Sequence, residues 1–524
     1  MTKLPTFSQP IIWQDLADTD LIRVGNAYYY SASTMHFSPG APILRSYDLV
    51  NWEYIAHSVP RLEFGDERFD LENGNAYNLG IYASTLRYHE CRGLFYWVGC
   101  AQYTGRSYIY AASEITGPWK LVSTIRDCVL YDAGLLIDDD GTMYVAYSKW
   151  IPKGDEAKIR IAELDGDTLQ IKRNEVVFNT TKELDYIEGA RFYKRNGIYY
   201  LWLTNPGINV GGAGGGQIIV KSSDGPFGPY GTWHRVLANN GHPVEGGGPP
   251  FQGAIVDTPA GDWWYIAFID KWPGGRFPVL APITWDEDGW PNVQFVDGDK
   301  WGSSYQYPLP PHPVKPLTGI DRFQSELGHQ YEWNHNPDNS KWQVDNGLTL
   351  QTATITDDFF SAKNTLTHRV LGPTSTATIE LDYANMAEGD KAGLSVFRWN
   401  AGWIGVSKTQ GEFVLEMVDK VDMEYIDEKW VTVKKGEVVE RTVLKAGKIW
   451  IRAHCDLTGG RVRAGTSTSQ FSYSHDGNNF TNFGCLHYTG TGKVFFLGMR
   501  YGLFNFATKA LGGSVKIQSF TLEN

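Results

Sequence analysis

One segment decides the fold of this chain: Gly197–Ile198–Tyr199–Tyr200–Leu201–Trp202, a turn glycine followed by an apolar and aromatic run. The N-terminal half contains five variants of it, led by Gly25, Gly93, Gly141, Gly197 and Gly261. Each run follows an upstream apolar strand, so each reads as a β-hairpin whose glycine supplies the turn conformation. The glycines lie 48 to 68 residues apart, a spacing typical of propeller blades. The pattern predicts a five-bladed β-propeller.

A polar residue stands at a fixed distance before each of these glycines. Nine residues before the glycine lie Ser84, Asp132, Glu188 and Gln252, and in the shorter first repeat Asp18 lies seven residues before it. Equivalent positions of propeller blades face the central axis at the same height. Three of the five blades therefore direct a carboxylate at one point, and the spacing predicts an active site there.

The amino-acid composition argues against some classes of binding partner. The 524 residues carry a net charge of −12 without any long basic run, which argues against nucleic acid. No stretch approaches the apolar length that a membrane span needs. Aromatic residues make up 14% of the chain; most are expected in sheet cores, and the rest are candidates for stacking on sugar rings. The five scattered cysteines give neither a disulfide framework nor a metal-binding spacing.

The periodicity changes after a proline-dense segment, Tyr307–Pro308–Leu309–Pro310–Pro311–His312–Pro313, which predicts a stiff linker. Beyond it, strands such as Ala377–Asp382 alternate polar and apolar residues, as in an antiparallel β-sandwich. We therefore predict an all-β protein with a catalytic propeller over residues 1–305, a linker over 306–319 and a sandwich over 320–524. The segment Met1–Gln14 lacks the pattern of a secretory signal, so the sequence leaves cytoplasmic and extracellular locations open.

Three carboxylates at one site suggest acid–base chemistry. Like charges close together raise the pKa of at least one group, which places a proton donor beside a base. Glycoside hydrolysis requires that pair, with the acid serving the leaving oxygen and the base or nucleophile acting on the other face of the ring. The structural alternative is that Asp18, Asp132 and Glu188 are turn or cap residues at strand starts. Three such residues in register favour the catalytic interpretation.

Several segments resemble glycoside hydrolase family 43, a family of inverting enzymes with a five-bladed propeller that remove arabinofuranosyl or xylosyl units. The most specific signature is Ser38–Glu53, with the sequence SPGAPILRSYDLVNWE. In the second domain, Asn364–Thr367, Ala377–Asp382 and Tyr501–Thr508 are similar to the appended sandwich of the family's xylosidases and arabinofuranosidases. The resemblance covers nearly the whole chain.

The resemblance also implies roles for individual residues. It implies that Asp18 is the general base, Asp132 orients the general acid and raises its pKa, and Glu188 is the general acid. Arg276, in Gly274–Gly275–Arg276, resembles the arginine that touches the terminal sugar. The chain departs from the usual motifs at Thr19 and Ala133, where the family commonly has proline.

Further substrate-binding candidates are His36, Phe37, Tyr82 and Gln252. The first three lie in segments similar to fungal arabinofuranosidases that act on arabinoxylan. Gln252 stands where many members place a histidine beside a calcium, so a calcium is possible but has no matching histidine, and we expect no required cofactor. The expected function is exo-acting removal of α-L-arabinofuranosyl side chains from a neutral pentose-containing polysaccharide or oligosaccharide. A β-D-xylosidase and, more remotely, a non-catalytic carbohydrate-binding propeller are the alternatives.

Overall fold

The computed structural model describes residues 4–524, except 102, 149–157, 180–183, 185–186, 206–215, 239–240, 299, 446, 463 and 492–494. The described residues form β-strands and no α-helix. They include three short 3-10 helices, Glu67–Asp70, Glu90–Arg92 and Phe359–Ser361. Within these ranges, no helix is long and apolar enough to cross a membrane. The all-β prediction is confirmed.

The N-terminal domain consists of five four-stranded antiparallel sheets, each built from strands that follow one another along the chain, except that Phe37–Ser38 interrupts the first of them. Blade one contains Asp20–Val24, Ala27–Ser31, Gly40–Ser46 and Glu53–Val59; blade two contains Thr85–His89, Leu94–Ala101, Arg106–Ala112 and Lys120–Ile125; blade three contains Tyr131–Ile137, Met143–Ser148, Lys158–Leu164 and Ile171–Asn179; blade four contains Glu188–Arg195, Ile198–Asn205, Gly216–Ser222 and His234–Ala238; blade five contains Phe251–Asp257, Trp263–Lys271, Gly275–Trp285 and Pro291–Val293. The first strands contact one another in a closed ring, so they line the axis of a five-bladed propeller.

The five turn glycines explain the repeat. All have φ between +61° and +88°, the left-handed region that glycine adopts without a steric penalty. Each turn lies between the first and second strands of its blade. The ring is closed between blades five and one, where the Arg23 guanidinium donates to the Asp257 carboxylate at 2.6 and 3.1 Å. The strand Thr6–Ser8 pairs with Ser304–Gln306 beside this closure.

The C-terminal domain is a sandwich of two antiparallel sheets around a shared apolar core. One sheet contains Gly319–Asp321, Trp342–Val344, Leu348–Gln351, Thr374–Asp382, Lys448–Asp456, Thr466–Ser474, Thr481–Asn482, His487–Gly490 and Ser514–Glu523. The other contains Tyr331–Asn334, Leu366–Arg369, Asp390–Phe397, Asn400–Thr409, Glu412–Ile426, Lys429–Leu444 and Arg500–Ala507, and Phe37–Ser38 from the propeller domain completes its edge. The two domains therefore share a sheet.

A buried charge cluster also joins the domains. Glu332 of the sandwich accepts from Arg369 at 3.0 Å and from Arg500 at 2.8 Å, and His57 of blade one lies 3.3 Å from it. The two arginines hold the pKa of the Glu332 carboxyl well below its usual range although burial opposes them. The proline-dense segment packs on blade one, where the His312 N–H donates to Asp48 Oδ2 at 2.7 Å.

Candidate active site

The first strands of three blades begin with an irregularity at the axis. Their pairing registers shift between Tyr131 and Gly134, between Glu188 and Arg191, and between Phe251 and Gly253. Inside or just before the first strands, positive φ angles occur at Asp18 (56°), Asp132 (53°), Gly189 (65°) and Gln252 (42°). A positive φ outside glycine is costly and is concentrated at functional sites. The backbone is therefore irregular at the positions where the sequence places the carboxylates.

Asp18 is held at both of its oxygens. It is 6% exposed; Arg276 Nη1 donates to Oδ1 at 2.9 Å, and the Ser33 hydroxyl donates to Oδ2 at 2.6 Å. Arg276 belongs to the third strand of blade five, so the contact joins the two blades at the ring closure. These bonds fix the position of the carboxylate.

Asp132 has a different environment. It is 4% exposed, and its Oδ2 accepts the Gly189 backbone N–H at 2.9 Å, directly after Glu188. Burial and the negative charge of Asp18 raise the pKa of Asp132 to about 7. Asp132 therefore holds the peptide that follows Glu188 and carries a proton below neutral pH.

Glu188 opens the first strand of blade four, where it pairs in register with Thr204. Its side chain is partly exposed, whereas Asp18 and Asp132 are buried. A carboxyl group that is partly exposed can exchange a proton with a bound molecule. The structure thus brings the three predicted carboxylates to the same end of the ring and gives each a distinct environment.

Arg191 links the three segments and was missed from the sequence. The side chain is fully buried; Nη1 donates to the Ala133 carbonyl at 2.7 Å, and Nη2 donates to the Asp18 carbonyl at 2.8 Å. It lies three residues after Glu188 on the same strand. An arginine three residues after Glu188, within the same predicted strand, is the signal that could have identified it, because a guanidinium buried there requires partners.

Arg276 is surrounded by acidic groups. Its backbone N–H donates to Asp15 Oδ1 at 2.8 Å, and Asp270 faces it across the hairpin. Burial opposes the charge of Arg276, but Asp18, Asp15 and Asp270 raise its pKa above the ordinary value. Burial, opposed by Arg276, raises the pKa of Asp270 to about 6. Asp15 and Asp270 were not among the sequence candidates.

The sandwich domain contributes backbone to this site. The Gly498 N–H donates to Asp15 Oδ2 at 2.8 Å, and Arg276 Nη2 donates to the Phe496 carbonyl at 3.1 Å. The Phe496 N–H donates to the side-chain oxygen of Asn78 at 3.0 Å. Segment 495–498 therefore lies against the arginine that holds Asp18, and the Phe496 ring is exposed beside it.

Three further predicted substrate-binding residues, Tyr82, His36 and Phe37, are buried in the structure. Tyr82 is nearly buried, donates to the Asn78 carbonyl at 2.7 Å, and lies 6.3 Å from the Tyr131 ring between centroids. His36 and Phe37 are 0% and 2% exposed and pack in the domain interface. His36 Nδ1 accepts the Asn78 N–H at 3.2 Å. Both side chains are closed off from solvent, so the geometry gives them a supporting place behind Asn78.

Gln252 lies at the ring position of blade five and is buried. Its backbone N–H donates to the Gln217 side-chain oxygen at 3.1 Å, and its amide group packs against Gly189. Among the residues that the structure describes, no group of three or more His, Cys, Asp or Glu side chains could hold a metal ion. The donors here do not fit a histidine-bound calcium, and no step is assigned to one.

Three differently placed carboxylates at the axis of the ring are the arrangement of an acid–base glycosidase. Residues 7–291 match glycosyl hydrolases family 43, and residues 320–523 match the beta xylosidase C-terminal concanavalin A-like domain. The chain belongs to glycosyl hydrolases family 43. The resemblance seen in the sequence is thereby confirmed, and the protein is a glycosidase.

Similar proteins span both domains. A beta-xylosidase of Formosa agariphila is 29% identical over 99% of this chain and 90% of its own. A non-reducing end alpha-L-arabinofuranosidase of Bacteroides ovatus is 29% identical over 75% of this chain and 73% of its own. One solved structure is 38% identical with a TM-score of 0.91, over 99% of this chain and 100% of its own. It is described as an engineered family 43 glycoside hydrolase with endo-xylanase and exo-arabinofuranosidase activity.

Proposed function

We propose that the protein is an inverting, exo-acting α-L-arabinofuranosidase that removes side chains from arabinoxylan or its oligosaccharides. The observation that carries this choice is the full-length similarity, at 38% identity, to the enzyme whose description includes exo-arabinofuranosidase activity. The neutral pentose substrate also agrees with the site, which offers carboxylates and one arginine already paired with Asp18. No cofactor is proposed, and activity is expected to survive treatment with a chelator.

In the proposed mechanism, Glu188 donates a proton to the glycosidic oxygen as the bond to the anomeric carbon breaks. Asp18 takes a proton from a water molecule that attacks the opposite face of the ring. The bond between Arg276 and Asp18 orients the base, and Asp132 holds the Gly189 peptide so that Glu188 keeps its direction. Water adds one oxygen to the sugar, and the leaving alcohol keeps its own.

A β-D-xylosidase is the second candidate. The observation in its favour is the beta-xylosidase of Formosa agariphila, which aligns over 99% of this chain. The same three carboxylates serve either reaction, because both sugars are pentoses cleaved by an acid and a base. The difference between the two sugar specificities must therefore lie in contacts to the sugar other than those of the catalytic groups.

The test is a comparison of kcat/KM for 4-nitrophenyl α-L-arabinofuranoside and 4-nitrophenyl β-D-xyloside, followed by product analysis on wheat arabinoxylan. We expect the arabinofuranoside to be preferred and arabinose to be the only sugar released from the polymer. Preference for the xyloside, with xylose released from xylo-oligosaccharides, would replace the first proposal by the second. The Glu188→Gln variant controls for contaminating glycosidases.

A further inference from the structure

A buried arginine of the sandwich holds the segment that reaches the active site. Arg398 lies in the turn between the strands Asp390–Phe397 and Asn400–Thr409, and it is 2% exposed. Its guanidinium donates to four backbone carbonyls, those of Gly490, Thr491, Phe495 and Leu497. The bond from Nε to the Leu497 carbonyl is 2.6 Å long. Arg398 therefore binds backbone on both sides of the connection that leads to the strand Arg500–Ala507.

The charge of Arg398 is held without a carboxylate partner. In the part of the chain that the structure describes, Arg398 forms no ion pair, and the rings of Trp272 and Phe495 lie 4.6 and 5.5 Å from its guanidinium. Burial lowers the pKa of Arg398 to about 9, so its surroundings disfavour the charge. An apolar side chain of similar volume would avoid this cost. The carbonyls that Arg398 binds, and not the packing of the sheet, therefore account for an arginine at this position.

Segment 495–498 needs such a partner because it lies outside any strand. Its backbone groups are not paired in a sheet, and buried carbonyls require hydrogen bonds. The Phe495 and Leu497 carbonyls accept from Arg398. The Phe496 carbonyl between them accepts from Arg276 Nη2 at 3.1 Å. Consecutive carbonyls thus bind different arginines, and the segment is held between one guanidinium from each domain.

The contacts of the segment with the propeller are close. The Gly498 N–H donates to Asp15 Oδ2 at 2.8 Å, and a Cβ at Gly498 would lie 2.8 Å from the Asp15 Cβ. The other oxygen of Asp15 accepts the Arg276 N–H at 2.8 Å, and Arg276 Nη1 donates to Asp18 at 2.9 Å. Hydrogen bonds and the backbone of segment 495–498 therefore connect Arg398 to the Asp18 carboxylate.

We propose that Arg398 is a positioning residue of the reaction, which fixes segment 495–498 so that the segment fixes Arg276 against Asp18. The inference rests on the proposed role of Asp18 as the base, and it holds for either sugar. One guanidinium plane of Arg276 carries both the bond to Asp18 and the bond to the Phe496 carbonyl, so holding one bond directs the other. The fork of Arg398 can bind several carbonyls at once, which the point charge of a lysine cannot do.

The first test measures kcat and KM on whichever 4-nitrophenyl glycoside, arabinofuranoside or xyloside, the wild type cleaves. Arg398→Lys keeps the charge, and Arg398→Met keeps only the aliphatic stem. Both should lose about 10²-fold in kcat/KM, mostly in kcat, because a misplacement of about 1 Å near the reacting groups has that effect. Arg452→Met is the matched control and should keep the wild-type kcat, since Arg452 lies on the other sheet against the Phe480 ring at 3.6 Å. Wild-type kcat in Arg398→Lys would overturn the proposal.

A double-mutant cycle with Asp15→Asn separates positioning from a general loss of stability. Asp15 holds the same segment from the propeller side, so the two residues act on one path. The double variant should therefore lose less kcat/KM than the product of the two single losses. A loss equal to that product would show independent effects and would contradict the positioning role.

Hydrogen exchange gives a readout that does not depend on activity. In Arg398→Lys the amides of segment 495–498 should exchange faster than in the wild type, whereas those of the strand Thr374–Asp382 should keep their protection. Unchanged exchange in the segment, or equally faster exchange in both regions, would overturn the proposal. Asp18→Asn tests the proposed function separately: wild-type kcat in this variant would contradict the mechanism itself. Loss of kcat in Asp18→Asn but not in Arg398→Lys would contradict only the role of Arg398.

Discussion

At the axis, three carboxylates of similar chemistry differ in what surrounds them. Asp18 is paired with a buried arginine, Asp132 is buried against a backbone N–H and the charge of Asp18, and Glu188 is partly exposed. The pairing fixes the position of the Asp18 carboxylate, burial raises the pKa of Asp132, and partial exposure gives Glu188 access to a ligand. The division of labour in the proposed mechanism follows from these surroundings.

The role of Glu188 can be separated from general damage by changing the leaving group. Glu188→Gln should lower kcat/KM on arabinoxylan by about 10²–10⁴-fold, the usual contribution of acid catalysis. On an aryl glycoside with an acidic leaving group the loss should be much smaller, because that group departs without a proton. Glu175→Gln, at an exposed glutamate of blade three, is the matched control and should behave like the wild type. Equal losses of kcat/KM on both substrates would contradict the assignment of Glu188 as the general acid.

Asp132 makes stability depend on pH. Its folded-state pKa of about 7 lies above the ordinary carboxyl value, so the folded protein retains a proton that the unfolded chain has lost. The contribution of Asp132 to the free energy of unfolding should therefore decrease as pH rises from about 4 to about 7. Asp132→Asn cannot titrate and should lack this decrease, so its Tm advantage over the wild type should grow across that range. A Tm difference that is constant with pH would contradict this account.

At the scale of the strand, the glycine turn and strand length made the site predictable. Gly141 and Gly261 lie nine residues after Asp132 and Gln252, and each pair spans one first strand and its turn. Such local spacing is visible in sequence. Blade four shows the limit, because its positive φ lies at Gly189 and not at Glu188. A one-residue shift inside an irregular strand start has no sequence signal.

The close approach of blades three and four gives a test at this scale. A Cβ at Gly134 would lie 2.3 Å from the Ala190 carbonyl oxygen and 2.8 Å from the Arg191 Cα. Gly134→Ala must therefore push the two first strands apart, and we expect a loss of about 1–3 kcal/mol in unfolding free energy together with reduced kcat. Gly231→Ala, where a Cβ meets nothing within 4 Å, is the control. Calorimetry measures the Tm of both variants. Equal Tm values for Gly134→Ala and Gly231→Ala would contradict the tight packing at Gly134.

At the scale of the molecule, the sequence revealed two domains but not their shared site. Asp15 and Gly498 are bonded although 483 residues separate them, and Arg276 reaches the Phe496 carbonyl over 220 residues. Contacts between distant segments leave no periodic or motif signal in one sequence. For the same reason His36 and Phe37 were expected at the substrate, whereas the structure places them in the domain interface.

The buried cluster at that interface should dominate the stability of the whole chain. Glu332→Gln would leave Arg369 and Arg500 without their shared carboxylate, and breaking a buried ion pair costs about 3–5 kcal/mol. Glu437→Gln, which breaks an exposed pair with Lys420, should cost at most about 1 kcal/mol. Denaturant unfolding of both variants gives the comparison. Similar losses would show that the interface cluster is not a major contributor.

The central claim is that Asp18 activates water and does not attack the sugar. Asp18 and Glu188 come from blades one and four, which are not neighbours around the ring, and an inverting pair needs roughly 6.5–9.5 Å between carboxyl groups. Proton NMR of the first product, recorded before mutarotation, measures this directly. The account predicts that α-L-arabinofuranosides first release β-L-arabinose. Release of the α-anomer first would contradict both the inverting mechanism and the role of Asp18.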